Sequence, residues 1–250
     1  MEFLTGKMLG FVLILTRIGA FFSSSPLFSW QAIPVRSKVI MALLISAFFA
    51  AITPCQFTSE NMALIEVILL IANEFLYGLA MGLVAYCLFA VVRVSGQIIA
   101  RQMGLTMANI LDPFSGEQGQ PLGMLLEIIF IFLLFATGSH HLLIQVLSRS
   151  FQAFEPGLTP DAKVLVTSVL KASSSLLMLA LQMSAPLLAA FLLLMVVLAF
   201  MARVAPEANI LFLSMPLRVG LGLAMLAVFI PFLTNFITTF TTWLNRLIPL

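Results

Sequence analysis

Long apolar runs constrain this chain more than any other feature of its sequence. Residues 63–92 form a run that exceeds a single untilted membrane crossing, which needs about 20 residues. Residues 163–201 carry a helical pattern throughout. Hydrophobic residues make up 62% of the chain and charged residues only 9%, whereas a soluble domain is about one quarter charged. The sequence therefore predicts an all-α integral membrane protein, and a net charge of +2 gives no indication of nucleic-acid binding.

Turn residues divide the chain into helical hairpins. The expected apolar segments are residues 8–22, 39–52, 63–92, 122–135, 140–151, 163–201 and 217–233. Pro26 and Pro34 favour a tight hairpin between the first two segments, and Gly138 separates the fourth from the fifth. Pro186 lies inside the longest segment, where a proline is expected to kink a helix. The last segment is expected to extend towards Trp243.

The stretch 96–121 is the longest break between apolar segments. Its first part fits a continuing helix, and Asp112-Pro113 and Gly116 then favour a loop. The loop nevertheless keeps three large apolar residues, Ile110, Leu111 and Phe114. Irregular backbone at membrane depth is tolerated where protein buries it or where it lines a cavity. A surface loop with incidental apolar residues is the alternative, and the sequence leaves both open.

Charged residues also lie within the apolar runs, among them Arg17, Glu66, Glu74 and Glu127. Each would cost roughly 2.5–3.5 kcal/mol at the centre of a membrane helix. The helices therefore need partners for these charges, either one another or other subunits. The Lys and Arg residues divide almost evenly between the two sides of a six-segment topology, so the positive-inside rule predicts no orientation.

Gly78 and Gly82 form a Gly-x-x-x-Gly motif in the third apolar run. This spacing allows two membrane helices to approach closely. The motif is common by chance in apolar sequence, so close packing is the favoured interpretation and coincidence the alternative.

No arrangement of residues typical of an enzyme or a cofactor site is found. His140 and His141 are adjacent, so their side chains are expected to point apart on a helix, without a carboxylate or cysteine at ligand spacing. The sequence has no glycine-rich phosphate loop and no hydrolase or kinase signature. We therefore expect neither catalysis nor a bound metal or cofactor.

Motifs along the whole chain resemble those of the FliR family of flagellar biosynthetic proteins and its injectisome counterparts in type III secretion export gates. The resembling residues are Arg17, Pro26, Pro34, Arg36, Glu74, Gly78, Gly82, Gly96-Gln97, Gln102-Met103-Gly104, Asp112-Pro113, Gly138-x-His140, Ser150-Phe151, Pro156, Pro186, Arg203-x-x-Pro206-x-x-Asn209, Pro216, Arg218, Gly220 and Gly222. The three motifs Gln-Met-Gly, Asp-Pro and Arg-x-x-Pro-x-x-Asn, found in this order, are together specific to the family. Glu207 departs from the pattern, since the family often has glutamine there.

This resemblance implies a core subunit of the flagellar protein export gate, located in the bacterial inner membrane at the flagellar basal body. It implies one copy in a helical assembly with P-type and Q-type subunits, which together form the closed channel entrance for unfolded export substrates. The large export-gate ring subunit and the B-type subunit are further implied partners. Residues 1–175, with the loop 104–121, would resemble a P subunit, and residues 176–250 would resemble the helical hairpin of a Q subunit.

The resemblance also implies roles for two groups of residues. The central loop would be a plug across the pore, formed by Met107, Ile110, Leu111, Asp112, Pro113 and Phe114. The residues expected to contact neighbouring subunits are Arg17, Glu74, Gly78, Gly82, Arg203, Pro206, Asn209 and Arg218.

Two other functions remain possible on the sequence. An injectisome export-gate subunit would share the same motifs. A secondary transporter would use Glu74, Glu127 and Arg93 as ion or substrate sites, although transporters usually show related halves, and none are found here.

Overall fold

The computed structural model describes residues 2–29, 34–53, 63–105, 121–157, 162–205 and 209–247. These residues form helices and short connections, and none of them lies in a β-strand. The helices are α1 (Glu2–Ser24), α2 (Pro26–Ser29), α3 (Val35–Ile52), α4 (Leu64–Met103), α5 (Pro121–Ala136), α6 (His140–Ala153), α7 (Ala162–Val204) and α8 (Ile210–Leu247). The predicted all-α fold is confirmed.

Glycine or proline lies at several helix boundaries, and the predicted break at Gly138 is one of them. Three glycines adopt positive φ, which other residues rarely adopt: Gly104 (80°) after α4, Gly138 (70°) between α5 and α6, and Gly157 (90°) after α6. Proline occupies the first position of α2 and of α5, where its missing N–H costs nothing. The predicted extension of the third apolar run into the central stretch is also confirmed, because α4 continues to Met103.

The start of the last helix differs from the prediction. The last helix starts at Ile210, seven residues before the expected position, and Pro216 and Pro231 both lie inside it. Arg218, expected near the turn, therefore lies about two turns into α8. Pro186 lies inside α7 as expected, and the kink there stays a prediction.

The chain divides into two compact units. The first contains Met1–Leu88, Gly138–Ser174 and Thr241–Leu250. Within it α1 packs against α3, and its core includes Leu13, Ile14, Ile18, Phe21, Met81, Val84, Leu143 and Leu147, all buried.

The second unit contains Phe89–Thr137 and Ser175–Phe240. Phe130 of α5 is fully buried and contacts two aromatic rings, those of Phe89 (5.5 Å between centroids) and Phe236 (6.3 Å). Aromatic contacts of this kind stabilise a fold by more than the burial of their apolar surface alone. Phe191 and Leu187 of α7 are also buried.

Among the described residues, five helices are long and apolar enough to cross a membrane: α1, α3, α4, α7 and α8. A sixth candidate exists if α5 and α6 form one broken span. The most apolar part of α4 is 61% buried within the chain, whereas that of α3, α7 or α8 is only 17% buried. The chain is thus an integral membrane protein in which α3, α7 and α8 bury few of their apolar side chains within the described part of the chain.

Candidate functional site

A fully buried ion pair joins α1 to α4. The Arg17 guanidinium donates two hydrogen bonds to the Glu74 carboxylate, from Nε to Oε2 (2.5 Å) and from Nη2 to Oε1 (2.9 Å). The side chains are 0% and 2% exposed. Such a bidentate arrangement is among the strongest hydrogen-bonded pairs in proteins. Two of the charges that the sequence placed inside apolar runs therefore neutralise each other within this chain.

The remaining guanidinium nitrogen of Arg17 binds the carboxyl end of α6. Nη1 donates to the carbonyl oxygens of Ser150 (3.2 Å) and Phe154 (3.1 Å). The Ser150 carbonyl also accepts the backbone N–H of Phe154 (3.1 Å), and the carbonyls at this end of the helix carry the negative end of its dipole. Arg17 thus holds both the Glu74 carboxylate and the end of α6 in place.

The turn after α6 completes the surroundings of the pair. The backbone N–H of Gly157 donates to Glu74 Oε1 (2.9 Å). The rings of Tyr77 and Phe151 lie 4.7 Å and 4.6 Å from the Arg17 guanidinium carbon, within the range of a cation–π interaction. Three helices of the first unit therefore meet at one charged centre.

The Gly-x-x-x-Gly motif lies directly beside this centre. A Cβ added at Gly78 would collide with the Arg17 carbonyl oxygen, and one at Gly82 would collide with the Ser24 side chain. The two glycines therefore let α4 approach the backbone of α1, and the predicted close helix approach is confirmed. The helix that the motif approaches, α1, belongs to the same chain.

A second ion pair lies in the second unit, between α4 and α5. Arg93 Nε lies 2.7 Å from Glu127 Oε2, with the arginine side chain 44% exposed and the glutamate side chain 11% exposed. Gly96 and Gly123 bring the two helices together, because a Cβ at Gly96 would lie 2.7 Å from the Gly123 Cα. Here too, an ion pair between two helices lies beside glycines that let the same two helices approach closely.

Glu66, the fourth charge in an apolar run, lies in the first turn of α4 and is exposed. Its carboxylate accepts a hydrogen bond from the Ala63 backbone N–H (3.3 Å). A negative charge is favourable at this end of a helix. All four charges therefore have a partner within the chain.

The predicted subunit-contact residues fall into two groups. Arg17, Glu74, Gly78 and Gly82 come together around the buried pair, and their contact with another subunit stays a prediction. Of the other four, Arg203 lies in the last turn of α7, Asn209 directly precedes α8 and Arg218 lies within α8, whereas Pro206 falls outside the described residues. Arg203 and Asn209 are exposed, and the Asn209 side chain accepts a hydrogen bond from the Phe212 N–H (3.4 Å). Arg218 is half-buried, and its Nε has no acceptor among the described residues.

All six predicted plug residues lie outside the described residues: Met107, Ile110, Leu111, Asp112, Pro113 and Phe114. The plug therefore stays a prediction. The adjacent histidines differ from the expectation that their side chains point apart. The ring centroids of His140 and His141 lie 4.1 Å apart, with an angle of 36° between the ring planes, so the two rings are in contact.

Sequence reasoning missed the residues that bind the pair through their backbones. Ser150, Phe154 and Gly157 contribute carbonyl or N–H groups that every residue type possesses. Pro156-Gly157 indicated a turn, but nothing in the sequence identified Arg17 and Glu74 as its partners.

Comparison with known proteins gives a consistent result. The model of the protein family described as "Bacterial export proteins, family 1" matches residues 8–243. The chain is similar to the flagellar biosynthetic protein FliR of Bacillus subtilis (strain 168), with 31% identity over 226 residues covering 87% of this chain and 85% of the relative. It is 28% identical to FliR of Escherichia coli (strain K12) over 222 residues, covering 89% and 84%. It is also 28% identical to the Yop proteins translocation protein T of Yersinia pestis over 230 residues, covering 89% and 86%.

Proposed function

The chain belongs to family 1 of the bacterial export proteins, and we propose on this basis that it is a core subunit of the flagellar type III protein export gate. The observation that carries the proposal is the family match over residues 8–243, with FliR relatives aligned over more than four fifths of their own length. The chain acts there as a structural part of the export apparatus and not as an enzyme.

In this role the chain lies in the bacterial inner membrane at the flagellar basal body and assembles with P-type and Q-type subunits. Residues 1–175 take the part of a P subunit and residues 176–250 that of a Q-type hairpin. The assembly forms the closed channel entrance for unfolded export substrates, with the central loop as its plug. The ring subunit and the B-type subunit of the gate are further partners.

The exposed apolar helices support an assembly of this kind. In α7, for example, Leu192, Leu193 and Phe200 are each more than 60% exposed. Exposed apolar surface of this extent is typical of a lipid-facing or subunit-facing helix. Arg17, Glu74 and Glu127, by contrast, pair with charges of the same chain, which leaves the apolar faces for packing.

The internal ion pairs weigh against the transporter alternative. A transporter would use Glu74 and Glu127 to bind ions or substrate, but each carboxylate is held by an arginine of the same chain. An ion at Glu74 would have to displace the buried guanidinium of Arg17, at a cost of several kcal/mol. The injectisome alternative has a specific observation in its favour, namely the similarity to the Yersinia pestis translocation protein T.

Purification from the native bacterium tests the proposal. The tagged chain, extracted in mild detergent, is expected to arrive with two other small hydrophobic membrane proteins, identified by mass spectrometry. A mock purification without the tag is the control. Expressed without its P-type subunits, the chain is expected to aggregate or be degraded. A monodisperse monomer or homo-oligomer with full helical content would instead favour a transporter and contradict the proposal.

A further inference from the structure

An open cavity lies between α3 and α6 within the first unit. Its volume is about 550 Å³, which is within the usual range of small-molecule sites. The buried rings of Phe49 and Phe151, with centroids 5.1 Å apart, form its inner side. The exposed side chains of Phe48 and Ile52 border its opening on α3. One wall of the cavity is therefore aromatic and aliphatic.

The opposite wall is polar. Gln145, Ser148, Gln152 and Glu155 line it at intervals of three or four residues, so they belong to one face of α6 and of the turn that follows it. The side chains of Gln145, Gln152 and Glu155 are exposed and have no hydrogen bond or ion pair among the described residues. Glu155 is the one charged side chain among the described residues that line the cavity. This wall thus offers amide N–H donors and one carboxylate.

An apolar ridge on α3 leads into the cavity. It consists of Ile40, Leu44, Phe48 and Ile52, which recur every four residues and are each between 56% and 66% exposed. At a rise of about 1.5 Å per residue, the ridge is about 18 Å long. This length is close to the thickness of the hydrocarbon layer in one leaflet, about 15 Å. The ridge therefore has the length and the polarity of a track for an acyl chain.

The length of α3 places the cavity near a membrane surface. The helix has 18 residues and is therefore about 27 Å long, close to the hydrocarbon thickness of about 30 Å. No charged residue follows Lys38 in this helix. Its last residues, which line the cavity, thus lie near the boundary between hydrocarbon and headgroups. The apolar ridge and the polar wall meet where the headgroup and the acyl chains of a lipid join.

We propose that the cavity binds one phospholipid whose headgroup carries a primary ammonium. The ammonium donates hydrogen bonds to the Glu155 carboxylate, and the phosphate accepts hydrogen bonds from the side-chain amides of Gln145 and Gln152. One acyl chain lies along the ridge on α3. An anionic lipid without an ammonium would instead bring its net negative charge to Glu155. This inference does not depend on the export function of the chain.

The volume of the cavity favours a lipid over a helix of a neighbouring subunit. A helix with its side chains is about 10–12 Å across, so even two turns of it would need more space than the cavity offers. The cavity also combines an apolar track with hydrogen-bonding groups for a zwitterion at one end. Both features match the two parts of a phospholipid.

Lipid binding to the purified protein tests the proposal. The chain, extracted with the subunits that accompany it and depleted of lipid, is titrated with phosphatidylethanolamine, phosphatidylcholine or phosphatidylglycerol, and native mass spectrometry counts the lipids retained. Phosphatidylethanolamine is expected to bind at least about fivefold more tightly than the other two, because only its ammonium has N–H donors for the carboxylate. Equal affinities for the three lipids would overturn the inference.

A matched pair of glutamate variants tests the role of the carboxylate. Glu155→Gln keeps the size of the side chain and removes its charge, so it is expected to lower the affinity for phosphatidylethanolamine about fivefold and to leave that for phosphatidylglycerol unchanged or higher. Glu66 is exposed and does not line the cavity, so Glu66→Gln is expected to bind all three lipids like the wild type. Helical content and co-purification monitor the fold. Wild-type selectivity of Glu155→Gln, or an equal loss in Glu66→Gln, would contradict the proposal.

Photo-cross-linking identifies the occupant of the cavity in the native membrane. A photoreactive phenylalanine analogue is placed at Ile52, which borders the cavity, or at Ile65 of α4, which lies outside it. The two side chains are 63% and 62% exposed. Adducts at Ile52 are expected to be enriched in ammonium-bearing phospholipid, whereas adducts at Ile65 should follow the bulk lipid composition. Equal adducts at the two positions, or a cross-link from Ile52 to another polypeptide in place of lipid, would overturn the inference.

Discussion

Arg17 of α1 and Glu74 of α4 are 57 residues apart in the sequence and form a bidentate ion pair with distances of 2.5 Å and 2.9 Å. Both side chains are almost completely shielded, and the arginine also binds two carbonyls at the end of α6. Because each charge alone would cost several kcal/mol in an apolar environment, the two are tolerated only together. The pair therefore fixes the relative positions of α1, α4 and α6 within the first unit.

Breaking this pair should destabilise the chain strongly. Arg17→Leu and Glu74→Leu each leave one buried charge unpaired, and each is expected to cost about 3–5 kcal/mol. The double variant leaves no buried charge and should cost less than the sum of the two. Thermal unfolding of the purified complex and the amount of chain in membranes measure these effects. Arg17→Lys, which keeps the charge but not the bidentate geometry, is expected to lie between wild type and Arg17→Leu. Additive losses in the double variant would contradict the coupling.

The glycine motif gives a second prediction with a control in the partner helix. Gly78→Ala and Gly82→Ala place a Cβ against the backbone or side chains of α1, so each is expected to destabilise the chain by about 1–3 kcal/mol through overpacking. Gly19→Ala on α1 meets no atom within 4 Å and is expected to be neutral or slightly stabilising. Equal stabilities of the three variants would show that the close approach is not required.

Arg203 and Arg218 are expected to contribute to assembly. Arg203 is exposed, and Arg218 has a buried Nε without an acceptor among the described residues, so an acceptor from a neighbouring subunit would satisfy it. Arg203→Ala and Arg218→Ala should each lower the amount of assembled complex, measured by co-purification. Arg218→Lys keeps the positive charge and should lower it less than Arg218→Ala. Unchanged assembly and motility in both alanine variants would exclude this role.

The central loop is expected to act as a hydrophobic plug formed by Ile110, Leu111 and Phe114. Deleting residues 110–116 should increase leakage of ions or small molecules through the complex while assembly survives, because an apolar constriction excludes ions by dewetting. Phe114→Ala should leak less than the deletion, since other apolar residues remain. If the deletion variant no longer forms the complex, the loop is needed for assembly. An intact complex that leaks no more than the wild type would exclude the plug hypothesis.

Helix positions could be predicted from the sequence because apolar runs and their glycine or proline boundaries are local signals. Examples are the third apolar run, which continues as α4 to Met103, and the helix break at Gly138. The start of α8 at Ile210 was not predicted, and Pro216 is the seventh residue of this helix, where a proline removes one backbone hydrogen bond.

The charged centre could be predicted only in part. The apolar surroundings of Arg17 and Glu74 indicated that both charges need partners, but pairing across 57 residues depends on tertiary structure. The close approach at Gly78 and Gly82 was predicted, whereas its partner helix, α1, was not. The close approach of the Met103 side chain to Gly222 was not predicted either, because α4 and α8 are distant in the sequence and share no local pattern.

Secretion of flagellar proteins by a bacterium that lacks this chain tests the central claim most directly. The account predicts that deletion of the gene abolishes motility and removes flagellar filament protein from the culture medium. The wild-type chain supplied from a plasmid should restore both, and the Arg17→Leu variant should restore neither. Continued secretion of filament protein and normal motility in the deletion strain would contradict an export-gate function in the flagellum.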